Sequence, residues 1–171
     1  MEASGGRAAC SIISVMPTFS VHTFGCKLNQ VDGAAVAESL RARGYAPESR
    51  AERAGVVVVN TCTVTERADS DARQMIRKLK RENPSCTLVV TGCYAEHAAD
   101  ALRAMGEVDL VVGNREKDSL DEILDAKIRG ADAPACHEGT VAAGALFEGR
   151  TRAFVKAQDG CNAKCSYCII P

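Results

Sequence analysis

Short apolar runs alternate along this chain with stretches of helical periodicity. The runs cover residues 19–24, 56–59, 88–91 and 110–112. The second and third runs are continuously apolar rather than alternating, which is typical of strands that are buried on both faces. Because strand and helix follow each other about four times, the pattern predicts a parallel sheet with right-handed crossovers, that is, an α/β protein with a doubly wound sheet.

The predicted helices begin and end at residues with known capping preferences. Asp32 is predicted to cap the first helix, and two further helices are predicted over residues 69–83 and 95–105, each stopping before a proline or a glycine. The motif Ser119-x-x-Glu122 predicts a capped fourth helix. The residues of this helix that are predicted to face inward are Ile123, Leu124 and Ile128.

The chain is predicted to divide into four segments. Residues 1–17 are predicted to be a disordered extension, and residues 18–130 the sheet domain. Residues 131–150 are rich in alanine and glycine without a clear period, which predicts a linker. Residues 151–171 begin with one more predicted strand and continue into a cysteine-rich loop. Because the sequence stops three residues after its last cysteine, we expect it to be the front part of a larger protein.

Composition narrows the setting in which the protein works. The apolar content of 46% and charged content of 25% are ordinary for a soluble globular protein. The sequence has no run of about 18 apolar residues and no export signal, so we expect a cytoplasmic protein without membrane contact. In that reducing compartment, nine cysteines are more often metal ligands or catalytic groups than disulfides. The net charge of −1 provides no general basic footprint, so any RNA contact of this piece must be local.

Three cysteines directly follow three of the predicted strands. We call Cys26, Cys62 and Cys93 the first trio. Ligands of an open parallel sheet bind beyond the carboxyl ends of its strands, and the helix after each strand favours a thiolate at its N-terminus. Three thiolates can hold three irons of a [4Fe–4S] cluster and leave the fourth iron open. The alternative is that each cysteine is only a small buried residue at a strand end, but the threefold repetition favours a cluster.

Three further cysteines lie close together near the end of the sequence. We call Cys161, Cys165 and Cys168 the second trio; the spacing x3 and then x2 lets one short loop contact three corners of a [4Fe–4S] cluster. The fourth iron would then be left for a chelating small molecule. A zinc site or a redox dithiol is the competing interpretation. Zinc would need a fourth ligand, and Cys136 and His137 are the candidates, although neither has the spacing of a zinc finger.

These motifs resemble two parts of one enzyme family. The loop of the second trio resembles the cluster loop of radical S-adenosylmethionine enzymes, and the surroundings of the first trio are similar to the N-terminal domain of methylthiotransferases. The similar segments are Gly160-Cys161-x3-Cys165-x-Tyr167-Cys168-Ile169-Ile170-Pro171, Phe24-Gly25-Cys26-Lys27-Leu28-Asn29-Gln30, Val59-Asn60-Thr61-Cys62-Thr63-Val64-Thr65 and Thr91-Gly92-Cys93-Tyr94-Ala95. The resemblance covers residues 18–171. It is strongest to the bacterial branch that acts on N6-threonylcarbamoyladenosine at position 37 of tRNA, rather than to the branches for isopentenyladenosine or a ribosomal protein.

The resemblance implies cofactors and an activity. It implies two [4Fe–4S] clusters, with the second trio holding the one that binds S-adenosyl-L-methionine and cleaves it to a radical. The first trio would hold an auxiliary cluster that carries the sulfur. The reaction implied is replacement of the hydrogen at C2 of the adenine ring by a methylthio group. Only the cluster ligands carry over residue by residue, so no other catalytic residue is assigned.

The resemblance also implies partners and a missing part. Only the first strand and the cluster loop of the family's (β/α) barrel lie within this sequence, so the barrel is truncated. We therefore expect that the chain alone does not modify tRNA. The implied partners are tRNA, contacted mainly through the family's C-terminal regions, and a protein electron donor, and we expect a monomer. The alternative function is a non-catalytic module that binds an iron–sulfur cluster or zinc.

Two further groups of polar residues have two interpretations each. Lys27, Asn29 and Gln30 lie either near the auxiliary cluster or simply at the start of a helix. The basic residues of the helix over 69–83 either contact tRNA phosphates or form an ordinary solvated face. The fourth predicted strand ends at residue 112 without a cysteine and is given no function.

Overall fold

A five-stranded parallel sheet forms the centre of the protein. The computed structural model describes residues 17–63, 66–129, 158, 160–163 and 165–168. The strands are β1 (Thr18–Thr23), β2 (Ala46–Pro47), β3 (Val56–Thr61), β4 (Thr87–Gly92) and β5 (Leu110–Val111). Their order across the sheet is β2-β1-β3-β4-β5, and every neighbouring pair is parallel. This is one of the two common strand orders of doubly wound sheets, and it confirms the predicted sheet.

Five α-helices cover the sheet on both faces. They are α1 (Lys27–Ala42), α2 (Glu66–Glu82), α3 (Cys93–His97), α4 (Ala99–Arg103) and α5 (Leu120–Arg129). Because side chains alternate along a strand, β3 contributes Val57 and Val59 to the core under α2, α3 and α4. Val56 and Val58 of the same strand pack on the other face, under α1 and α5. All six residues of β3 are buried, as expected from its continuously apolar run.

Several predicted boundaries are wrong, and each error has a local cause. Helix α1 begins at Lys27 rather than at Asp32, because Cys26 takes the N-cap position and Asp32 lies buried inside the helix. The helix predicted over 95–105 is two short helices, interrupted at Ala98, whose φ of −131° is not helical. Ile128 does not face inward but is 39% exposed. The two-residue edge strand β2 was not predicted, since a segment ending in Pro47 has little strand character.

Other predictions fall where the structure gives no description. The predicted extension up to residue 16, the linker over 131–150 and most of the strand before Gln158 lie outside the described residues. The same holds for the barrel, of which the described part contains only the cluster loop. These segments stay predictions. The described helices include none with the length and apolar character needed to cross a membrane.

Candidate functional site

The three cysteines of the first trio follow three adjacent strands. Cys26 lies between β1 and α1, Cys62 comes directly after β3, and Cys93 is the first residue of α3, directly after β4. The sheet register pairs Thr61 with Gly92, so that Cys62 and Cys93 leave the sheet at equivalent positions. Because β1, β3 and β4 are neighbours, all three cysteines lie at one edge, next to the point between β1 and β3 where the strand order changes direction. Ligands of such sheets bind at this point.

Two glycines allow the loops of the first trio to approach each other closely. Gly25 has a φ of +98°, and a Cβ atom there would lie 2.2 Å from Cβ and 2.6 Å from Sγ of Cys62. Gly92 has a φ of +93°, and a Cβ atom there would lie 2.3 Å from the carbonyl oxygen of Thr61. Only glycine fits both the dihedral angle and the space. The sequence interpretation did not assign these residues a role, although a glycine precedes the cysteine in two of the three motifs.

Asn29 connects the three loops through its side chain and its backbone. Its Nδ2 donates to the carbonyl oxygens of Phe24 at 3.0 Å and Thr61 at 2.8 Å, just before Cys26 and Cys62. Its Oδ1 accepts a weak contact from the Cys93 thiol at 4.0 Å. Its own carbonyl oxygen accepts a hydrogen bond from Nδ2 of Asn60 at 2.8 Å. Asn29 is almost fully buried, and we infer from these contacts that it holds the three loops at fixed distances.

The thiols of the first trio differ in exposure and influence each other. Cys62 is buried, Cys93 is partly buried and Cys26 is exposed. Burial raises the pKa of the Cys93 thiol, the neighbouring Cys62 and Cys26 raise it further, and the Lys117 ammonium lowers it. The net shift of this pKa is upward, and a thiolate at the helix N-terminus stays a prediction. A bound metal would supply the positive charge that favours three thiolates at this edge.

The chemistry of these residues fits a group that binds thiolates. All three cysteines are free thiols, the ligands that iron–sulfur clusters require. The hydroxyl of Thr91, two residues before Cys93, is buried and has no hydrogen-bond partner in the described part of the chain. A hydroxyl is a donor of the kind that forms hydrogen bonds to the sulfur atoms of a cluster. Within the described ranges, however, no three Cys, His, Asp or Glu side chains already converge as a metal site. The trio thus has the right donors at one edge of the sheet.

The second trio lies on a short, tightly turned loop. The amide of Cys168 donates to the carbonyl oxygen of Cys165 at 3.1 Å, and the amide of Ala163 donates to Sγ of Cys161 at 3.4 Å. All three are free thiols, and Cys165 and Cys168 are exposed. Tyr167 between them is 92% exposed. Two of the three thiols are therefore accessible to solvent, and the role of this loop as a cluster ligand stays a prediction.

Two basic residues of α2 have close partners elsewhere in the domain. Arg73 donates to the hydroxyl of Tyr94 at 2.6 Å, and Lys80 forms a 2.6 Å ion pair with Asp109. Lys80 also donates to the carbonyl oxygen of Cys86. These contacts stabilise the packing of α2, whereas Arg67, Arg77 and Lys78 are exposed, and the two interpretations of this helix stay predictions.

Comparison with known proteins identifies a family for the segment that contains the first trio. A model of the family described as "Uncharacterized protein family UPF0004" matches residues 18–113, which contain the whole first trio. The chain is 35% identical over 164 residues to the threonylcarbamoyladenosine tRNA methylthiotransferase MtaB of Bacillus subtilis, covering 91% of this chain. It is 38% identical to the protein of the same name from Rickettsia prowazekii, over 87% of this chain. It is 36% identical to a tRNA-2-methylthio-N(6)-dimethylallyladenosine synthase of Sphingopyxis alaskensis, over 90% of this chain.

The similarity is limited to one part of these relatives. The chain spans 36%, 34% and 36% of their respective lengths. The matched family segment, in contrast, extends over more than half of this chain and includes every strand of the sheet. On this match the chain belongs to the family described as "Uncharacterized protein family UPF0004".

Proposed function

We propose that this chain is the cluster-bearing N-terminal part of a tRNA methylthiotransferase, which adds a methylthio group to C2 of N6-threonylcarbamoyladenosine at position 37. The observation that carries the proposal is the arrangement of three free thiols behind three adjacent parallel strands. It is supported by relatives that are named as threonylcarbamoyladenosine tRNA methylthiotransferases. The whole enzyme, rather than this chain alone, would contact tRNA and an electron donor, and we propose a cytoplasmic monomer.

The two trios have separate roles in this proposal. The first trio would hold an auxiliary [4Fe–4S] cluster, and the second trio a cluster that also binds S-adenosyl-L-methionine. When bound, the two clusters supply redox and sulfur chemistry that amino-acid side chains do not provide. The residues of the sheet domain would hold the auxiliary cluster. Cys62 would bind it from a buried position and Cys26 from the exposed side of the site, while Asn29 fixes the spacing of the loops.

A second candidate substrate is the dimethylallyl- or isopentenyl-modified adenosine. It is favoured by the match to a tRNA-2-methylthio-N(6)-dimethylallyladenosine synthase, whose identity of 36% is close to the 35% and 38% of the two relatives above. The segment Cys26-Lys27-Leu28-Asn29-Gln30 favours the threonylcarbamoyl branch by its resemblance. Mass analysis of nucleosides from tRNA treated with the complete enzyme would distinguish the two, because the methylthiolated products differ in mass.

The test is the content of iron, sulfide and zinc after anaerobic reconstitution. We expect about eight irons with matching sulfide in the wild-type chain, since each [4Fe–4S] cluster has four. The triple substitution of the first trio by alanine should remove about four irons, and that of the second trio another four or so. Cys86→Ala is the matched control. Cys86 is as buried as Cys62, but it lies before β4, at the opposite end of this strand from Cys93. Zinc without sulfide, or iron content that is unaffected by the first triple substitution, would contradict the proposal.

A further inference from the structure

A buried lysine lies in the segment after β5, at the edge of the sheet where cysteines follow β1, β3 and β4. Strand β5 lies next to β4, and the chain after it passes through Asn114 to Lys117 in a 3-10 turn, Lys117–Ser119. The amide of Asn114 donates to Oε2 of Glu96 at 3.0 Å, which fixes this loop against α3. Lys117 therefore lies at the carboxyl edge of the sheet, in the segment that follows β5. Strand β5 is the neighbour of β4, the strand that Cys93 follows.

Lys117 is buried and is held in place by two oxygen atoms. Its Nζ atom donates to Oδ2 of Asp32 at 2.6 Å and to Oδ1 of Asn114 at 3.3 Å. The side chains of Lys117 and Asp32 are each only 8% exposed. Asp32 lies three residues after Asn29 in α1, and residues at this spacing share one helix face. The ion pair thus joins the loop after β5 to the same helix face that holds the three cysteine loops.

Stability alone is a poor reason for burying this ion pair. Removing two charges from water costs about as much as their attraction returns, and a pair of apolar side chains often stabilises a fold equally well. The geometry places the pair beside the first trio. Asp32 shares a face of α1 with Asn29, whose side chain contacts the Cys93 thiol at 4.0 Å and donates to the carbonyl oxygen of Thr61, just before Cys62, at 2.8 Å. A position close to three thiols that can become thiolates gives the pair a reason to be charged.

We propose that Lys117, oriented by Asp32, is a positioning residue that balances the negative charge of the first trio and of the cluster it binds. This inference rests on the proposed function. Three thiolates and the sulfides of a cluster concentrate negative charge at this edge, and reduction adds one more electron. A cation held nearby stabilises both the bound cluster and its reduced form. Asp32 keeps the ammonium in place and compensates for its burial.

The experiment uses the full chain with the second trio replaced by alanine, so that only the cluster of the first trio is observed. In this background, we expect Lys117→Gln to shift the midpoint potential of the cluster to more negative values. We also expect loss of iron to a chelator to become about 10-fold faster, the usual lower range for a residue that supports metal ligands. Lys117→Arg retains the positive charge and should restore both values toward those of the background chain.

Two more variants separate this role from a role in folding. Lys117→Met combined with Asp32→Leu removes both charges without leaving one buried alone, so the fold should persist. Because the net charge near the cluster is then unchanged, the potential should fall by less than in Lys117→Gln. Lys80→Met is the matched control. Lys80 also forms a 2.6 Å ion pair, with Asp109, but near the amino end of β5. The Lys80→Met variant should have a lower free energy of unfolding, with the midpoint potential and the iron retention unchanged.

The outcomes distinguish the inference from the proposed function. If the background chain binds no iron–sulfur cluster, the proposed function fails and the inference fails with it. If it binds about four irons, but Lys117→Gln leaves both the potential and the retention unchanged, only the inference is overturned. A lower potential in Lys117→Gln, a smaller decrease in the double variant and recovery in Lys117→Arg support it. A decrease in the double variant as large as that in Lys117→Gln would overturn it.

Discussion

Gly25 and Gly92 each precede a cysteine of the first trio at a positive φ, where a side chain would be strained. A Cβ atom at Gly92 would also overlap the end of β3 at Thr61, and one at Gly25 would overlap Cys62, which follows β3. The spacing of the three motifs was enough to predict that the cysteines follow strands at one edge. It did not predict the close approach, since that depends on which loop each glycine meets in space.

Gly25→Ala is expected to weaken both the fold and the cluster site. The unfavourable φ costs about 1–3 kcal/mol of unfolding free energy, and the overlap with Cys62 pushes the Cys26 loop away from it. Denaturant unfolding and iron content after reconstitution measure the two effects. Gly106→Ala is the control, since a Cβ atom there meets nothing within 4 Å, and it should change stability by about 0.5 kcal/mol or less. Equal behaviour of the two variants would contradict this role of Gly25.

Helices α1 and α5 lie on the same face of the sheet and are joined by a cluster of charged residues. Arg43, just after α1, contacts Asp121 at 2.6 Å, Glu122 at 3.1 Å and Asp125 at 3.3 Å in α5. The hydroxyl of Tyr45 donates to Asp125 at 2.7 Å. The sequence predicted both helices from their periodicity. These contacts could not be predicted, because the partners are about 80 residues apart and surface charges have many possible partners.

Arg43→Ala is expected to destabilise the protein by about 3 kcal/mol, since it removes the positive charge that neutralises the mostly buried carboxylates of Asp121 and Asp125. The Arg43 side chain is 10% exposed, whereas Arg41, two residues earlier, is 50% exposed and contacts only Glu38 of its own helix among the ion pairs of the described residues. Arg41→Ala should therefore cost about 0.5 kcal/mol or less. Chemical denaturation of both variants provides the comparison. A similar small loss in both would mean that the cluster between α1 and α5 contributes little.

The failure of the Asp32 prediction shows how far local patterns reach within an element. An aspartate near a helix start is usually a cap, and the sequence therefore placed the start of α1 at Asp32. In the structure, Cys26 occupies the cap, and Asp32 faces Lys117, a partner 85 positions away. Capping preferences act within one turn, so they cannot reveal a long-range ion pair. The same distance explains why Lys117 was overlooked as part of the site.

At the scale of the whole molecule, the sheet and its two cores form one unit within the described residues up to 129. Among the described residues, the last buried side chain of one core is Leu102 and that of the other is Leu124. Every residue of the first trio lies within this unit, while the second trio lies beyond it. The alternation of strands and helices was sufficient to predict this organisation, because each apolar run can be buried only between two layers of helices.

A chain shortened to end at Arg129 is therefore expected to fold and to keep one cluster. Since all buried residues of both cores in the described part of the chain come before that residue, its unfolding should remain a single cooperative transition, with a midpoint close to that of the full chain. After reconstitution it should bind about four irons, as should the full chain with the second trio replaced by alanine. Calorimetry and iron analysis check both points. A broad, non-cooperative transition would show that residues after 129 belong to the core, and a loss of all iron would show that the first trio cannot hold a cluster without the segment that carries the second.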